Sequence, residues 1–90
     1  MMVKFLRKTV RNIKMKKKIK ELFEIITERT DFVNLTVQTK FFKGFEIYNN
    51  NDKIAFFTFE EAYTLLMLGT QFFCSIVYSL CVKYSIEKIW

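Results

Sequence analysis

The sequence predicts an α+β fold: an N-terminal amphipathic helix, a small antiparallel sheet with a hairpin, one capped helix, and short C-terminal helices. Three observations carry that expectation. Apolar residues from Val3 to Ile26 recur at helical spacing, the stretch from Phe32 to Phe57 is rich in β-branched and aromatic residues around an Asn-rich turn, and Thr58 opens a segment holding a helix start, an apolar face and a helix stop within twelve residues.

In the first segment Val3, Leu6, Val10 and Ile13 follow three-four-three spacing, and Met15, Ile19, Leu22, Phe23 and Ile26 form a second stripe across the Lys16-Lys17-Lys18 interruption. One or two amphipathic helices therefore cover Val3 to about Glu28. Such a stripe faces a core or lies on a membrane surface. From Asp31 the pattern becomes that of strands, expected over Phe32 to Gln38, Phe41 to Tyr48 and Ile54 to Phe57. Asn49-Asn50-Asn51-Asp52 separates the last two. Asn and Asp accept left-handed backbone conformations, so these four residues predict a hairpin turn.

Thr58 and Glu61 then make a capping box, in which the Thr58 hydroxyl accepts from the backbone N–H of Glu61 and the Glu61 carboxylate accepts from that of Thr58. Glu60 and Glu61 also sit at the positive end of the helix dipole. Ala62, Leu65 and Leu66 give the apolar face, and Gly69 offers the left-handed residue that ends helices. Beyond it, Gln71 to Val77 reads as a further strand, Tyr78 to Tyr84 as a short helix, and Ser85 as the cap of one more. The expected organisation is a basic helical arm over 1–30 and a small α+β domain over 31–90.

A second reading hangs on the same glycine. Ala62 to Val82 carries no charged residue and has about the twenty residues a helix needs to cross a bilayer. A helix running through Gly69 would make the chain a single-pass membrane protein, an accessory subunit of an organellar membrane complex. That arrangement would put Gly69, Thr70 and Gln71 near the bilayer midplane, where polar groups need a partner helix. A stop at Gly69 gives two short apolar elements folded on each other.

Ninety residues bound the chain to one small domain, one that gains from docking on a partner. Abundant Lys, Asn, Phe and Ile with scarce Gly, Arg and Pro match codons drawn from an AT-rich genome, so Lys and Phe counts alone say little about function. The distribution of charge says more. Met1 to Lys20 holds nine Lys and Arg and no acid, Glu21 to Asp31 holds one Arg against four acids, and the remainder balances five against five. The net +6 thus arises at the N-terminus. Lys4, Arg7, Lys8, Arg11, Lys14, Lys16, Lys17, Lys18 and Lys20 are the candidate nucleic-acid-binding residues, able to contact phosphates through counterion release or to serve as a solvated helix face.

No His is present, which removes the commonest general acid-base group, and no phosphate-binding loop, Walker motif or nucleophile elbow occurs. The sequence therefore predicts no catalytic residue, no metal site and no cofactor. Cys74 and Cys81 are seven residues apart, too far for a disulfide on one helix and on opposite faces of one strand, and read as small buried hydrophobes.

The stretch Lys40-Phe-Phe-Lys-Gly-Phe-Glu-Ile-Tyr, the Asn-rich turn, and Ile54-Ala-Phe-Phe-Thr-Phe-Glu-Glu-Ala-Tyr-Thr-Leu-Leu-Met-Leu-Gly69 resembles the N-terminal domain of the tRNA-splicing endonuclease family. It is most similar to the large non-catalytic structural subunit. Glu60, Glu61, Ala62, Leu65, Leu66 and Gly69 fall on the family pattern, and the similarity extends more loosely through Tyr78-Ser-Leu-Cys-Val to Ser85-Ile-Glu-Lys-Ile-Trp90. The resemblance implies a soluble α+β domain in the nucleus or cytoplasm, with Gly69 ending a helix, a catalytic endonuclease subunit as partner, and tRNA as a further one. The family's cleavage residues lie in other, catalytic subunits, so the resemblance implies a scaffold and no active site in this chain.

Overall fold

The computed structural model describes residues 2–30 and 33–89. Helix α1 spans Met2–Arg29, strands β1 (Leu35–Lys40), β2 (Gly44–Asn49) and β3 (Asp52–Thr58) form one sheet, and helices α2 (Phe59–Leu68) and α3 (Thr70–Ile89) follow. The α+β class, the N-terminal helix, the hairpin and the capped helix are all present. Phe32, the expected start of the first strand, and the side chain of Lys4 lie outside what is described.

The sheet is antiparallel in the order β1-β2-β3. Period-two alternation along its strands puts Leu35 and Val37 of β1, Phe45 and Ile47 of β2, and Ala55 and Phe57 of β3 on one face, matched across strands as Val37–Ile47–Ala55 and Phe45–Phe57. Helices cover that face. Met15, Ile19 and Phe23 of α1 and Phe73, Val77 and Cys81 of α3, each set four residues apart, complete the core with Ala62. The helical arm and the sheet therefore share one core. Phe73 stands between Phe23 and Phe57, with ring centroids 6.2 Å from each. Truncating a ring buried this fully costs about 3–5 kcal/mol.

The hairpin forms where the Asn-rich segment predicts it. Asn50 and Asn51 have φ of 52° and 71°, the pair of left-handed residues that a two-residue hairpin loop requires. Asn49 is buried, and its Oδ1 accepts from the Asn34 backbone N–H at 2.9 Å, while the Thr27 hydroxyl accepts from the Leu35 N–H at 3.1 Å. These two bonds hold the entry to β1 against α1 and the hairpin. Gly44 has a different cause: a Cβ there would lie 2.0 Å from the Phe57 carbonyl oxygen and 2.7 Å from Thr58 Cα.

The capping box is complete, with the Glu61 N–H donating to Thr58 Oγ1 at 3.1 Å and the Thr58 N–H donating to Glu61 Oε1 at 3.0 Å. Gly69 ends α2, in an extended conformation at φ 137° and ψ 143° instead of the expected left-handed helical one. Both conformations favour glycine. Its N–H donates to the Leu66 carbonyl at 3.2 Å, and its own carbonyl accepts from Phe73 N–H at 3.0 Å, so one residue closes α2 and opens α3. The two helices meet at 120°. Among the described residues no single helix is long and apolar enough to cross a membrane, although the bent pair α2 and α3 together has the length and composition.

Three local expectations are corrected. The strand expected over Gln71 to Val77, the short helix over Tyr78 to Tyr84 and the new cap at Ser85 are instead parts of the single helix α3, 20 residues long. Aromatic and β-branched residues favour strands only where a sheet has room to pack them. Here no Gly or Pro follows Gly69, and the spacing of Phe73, Val77 and Cys81 suits one helix face. Lys16-Lys17-Lys18 does not interrupt α1, since Lys is a good helix former. In the first apolar stripe Val10 and Ile13 are exposed, and the side chains of Val3 and Leu6 lie outside what is described.

Candidate nucleic-acid interface

Helix α1 has Met15, Ile19 and Phe23 against the core, so residues displaced by about half a turn of the helix project outward. Arg7, Lys8, Lys14, Lys17, Lys18 and Lys20 are exposed, and Lys16 is half-buried. At 28 residues α1 is about 42 Å long, most of the 49 Å long dimension of the molecule.

The described basic residues of α1 do not form one surface. Arg11 is engaged at the surface, donating from Nη2 to Glu60 Oε1 at 2.7 Å and lying 4.7 Å from the centroid of the Tyr63 ring. The Arg11 hydrogen bond and charge, with Lys8 adding a smaller pull, hold the Glu60 carboxyl below its ordinary range. Lys18 sits on the flank near Cys74, whose thiol is pushed up by burial and drawn slightly back by the Lys18 charge. Arg7 and Lys14 lie on that same outer side by helical spacing.

Lys16, Lys17 and Lys20 are brought together on the other flank, along a groove between α1 and the β1–β2 turn. The groove encloses about 480 Å³, and among the described residues no acidic side chain lines it. Its other wall carries Phe41 and Phe42, 78% and 72% exposed, with ring centroids 3.9 Å apart. Ile13, 64% exposed, closes the same wall as the lysines, and Phe59 forms the floor toward α2.

The turn that presents the two rings is strained. Lys43 N–H donates to the Lys40 carbonyl at 3.0 Å, and Phe42, at the third turn position, has φ of 60°. Gly or Asn normally occupies that conformation, and a bulky side chain there is an outlier. Asn12 also lines the groove, and its Oδ1 is buried with no hydrogen-bond donor among the described residues. A buried acceptor without a donor is a costly arrangement that folds rarely keep.

Past Lys20 the surface changes sign. A second groove continues from Lys16 and Lys20 along β1, but Glu24 and Glu28 line it and an anion there would be repelled. The basic, aromatic part thus has a defined end one turn beyond Lys20. Among the described residues no three His, Cys, Asp or Glu side chains converge as metal ligands. The structural motif Thr58, Glu60, Glu61, Ala62, Leu65, Leu66 and Gly69 is α2 with its two caps, and its Glu60 pairs with Arg11 of α1.

Comparison of the chain with protein-family models, with curated proteins and with solved structures found no match.

Charge density alone selected Lys16, Lys17 and Lys20 from the sequence. It missed Phe41, Phe42, Ile13 and Asn12. The available signal was the pair of aromatic residues between Lys40 and Lys43, immediately before a Gly, which marks a turn tip with rings in solvent.

Proposed function

We propose that the chain is a non-catalytic structural subunit of a tRNA-splicing endonuclease, supporting a catalytic partner and contacting tRNA through α1. The observation that carries this reading is the basic flank of α1 at Lys16, Lys17 and Lys20, set beside exposed aromatic rings and free of acids. Lysines in that setting gain affinity for phosphates by releasing counterions, and the rings offer flat faces to bases. The similarity from Lys40 to Gly69 supports the choice of complex, because its motif coincides with a closed capping box and a helix ended by Gly69. The exposed apolar residues Met67, Leu68 and Phe72 around the bend are where a catalytic subunit would dock.

The test is binding of the purified chain to tRNA across a salt series. Affinity is expected to fall steeply between low and moderate salt, with a log–log slope of about −0.7 to −0.9 for each phosphate contacted. A flat response removes the tRNA-contacting role.

A second reading rests on the composition of the same two helices, although the stop at Gly69 removes the unbroken span it first required. Helices α2 and α3 expose Met67, Leu68, Phe72, Tyr78 and Ile86, and together they meet the length and composition of a broken membrane span. Under that reading the protein is an accessory subunit of an organellar membrane complex. Retention in the membrane pellet through an alkaline wash would select it.

A further inference from the structure

The strongest unexplained feature of the fold is the β1–β2 turn. Phe42 is held at a positive φ, which carries a conformational cost, and its ring gains no burial in return. Folding stability alone would place Asn or Gly at that position. The neighbouring ring of Phe41 is equally exposed, and both face a groove whose far wall is lysine. Aromatic rings in solvent opposite ammonium groups match a ligand that is flat and anionic.

We propose that this groove takes an unpaired nucleotide of RNA, its base against the Phe41 and Phe42 rings and its phosphates on Lys16, Lys17 and Lys20. The inference rests on the reading of α1 as an RNA-contacting surface and specifies which RNA it selects. A volume of about 480 Å³ is within the range of small-ligand sites and holds one or two nucleotides. Bases within a duplex are stacked on each other and have no face to give to a ring, so the groove distinguishes loops, bulges and single strands from continuous helix. The direction of the strand is limited by Glu24 and Glu28, which turn the surface acidic beyond Lys20.

An anionic bilayer would also attract lysines and exposed rings. The concave shape and the hydrogen-bonding groups of Asn12 and Thr39 in the groove favour a nucleotide over a lipid surface, which would meet a convex tip.

The test compares the full chain with Phe41→Ala/Phe42→Ala by fluorescence anisotropy at low salt. The probes are a labelled oligouridylate, a blunt-ended RNA duplex with the same number of phosphates, and vesicles of phosphatidylcholine with phosphatidylserine. The double variant is expected to bind the oligouridylate about ten-fold more weakly while its duplex affinity is unchanged. Phe41→Trp, which keeps a stacking face, is expected to retain oligouridylate affinity, and circular dichroism of each variant checks the fold. Equal loss on both RNAs, no loss on either, or a Phe41→Trp defect as large as that of the alanines overturns the nucleotide site while leaving α1 as an RNA surface. Failure of the wild-type chain to bind either RNA overturns both readings. Loss confined to the vesicles overturns the nucleotide site in favour of lipid docking.

Discussion

Arg11 and Glu60 meet at 2.7 Å across the only ion pair that ties α1 to α2 among the described residues. The contact joins the N-terminal half of the basic helix to the first turn of the helix that the capping box starts. It also removes Arg11 from the charge available to a ligand.

The pairing predicts a pH dependence. Glu60 is held below its ordinary value by Arg11, Glu46 by Lys53, and Glu61 by its hydrogen bonds with Thr58. A carboxyl depressed in the folded state contributes stability above its unfolded value of 4.5, and that contribution is lost as pH falls through the lowered folded value. Glu60→Gln should therefore be less stable than wild type near neutral pH and converge on it in acid, once the Glu60 carboxyl is protonated in the folded state too. Urea midpoints at neutral and at acid pH check this; a gap that stays constant means the Arg11 contact adds nothing electrostatic.

Gly69→Ala should destabilise the fold by about 2 kcal/mol, through backbone strain alone. Nothing lies within 4 Å of the added Cβ, so space is available while φ of 137° is not. Denaturant unfolding reads the change. An unchanged midpoint would mean that packing, and not glycine, sets the bend.

Gly44→Ala should cost more, about 3 kcal/mol, for the opposite reason. The new methyl would strike the backbone of Phe57 and Thr58, and a paired strand cannot give way as a flexible side chain does. Thermal unfolding should show the larger loss here than at Gly69; the reverse order would contradict the assignment of strain at one site and crowding at the other.

Phe42→Asn should raise stability by about 1 kcal/mol, because Asn accepts the left-handed conformation that Phe42 is forced into. The thermal midpoint measures it. A fall would show that the exposed ring supports the fold and has no need of a ligand to explain it.

The elements most legible in the sequence were those fixed by local chemistry. Thr58 with Glu61, Asn50 with Asn51, and the Met15–Ile19–Phe23 stripe each encode a geometry in residues a few positions apart. Gln71 to Val77 is helix where a strand was expected, because Phe72, Phe73, Ile76 and Val77 have a strand-like composition and only the sheet's edge and the α3 packing decide between strand and helix. Of the candidate site, the lysines were legible from charge. Their division was not, since Arg11 is claimed by Glu60, and the Phe41–Phe42 wall reaches Lys16 and Lys20 only through tertiary contact between the turn and α1.

The most direct test is the salt dependence of single-stranded RNA affinity for wild type beside Lys16→Ala/Lys17→Ala/Lys20→Ala. The triple variant should bind more weakly, with a log–log slope shallower by about 2, the equivalent of three lost phosphate contacts. The same slope and affinity in both proteins would contradict RNA recognition by this flank of α1.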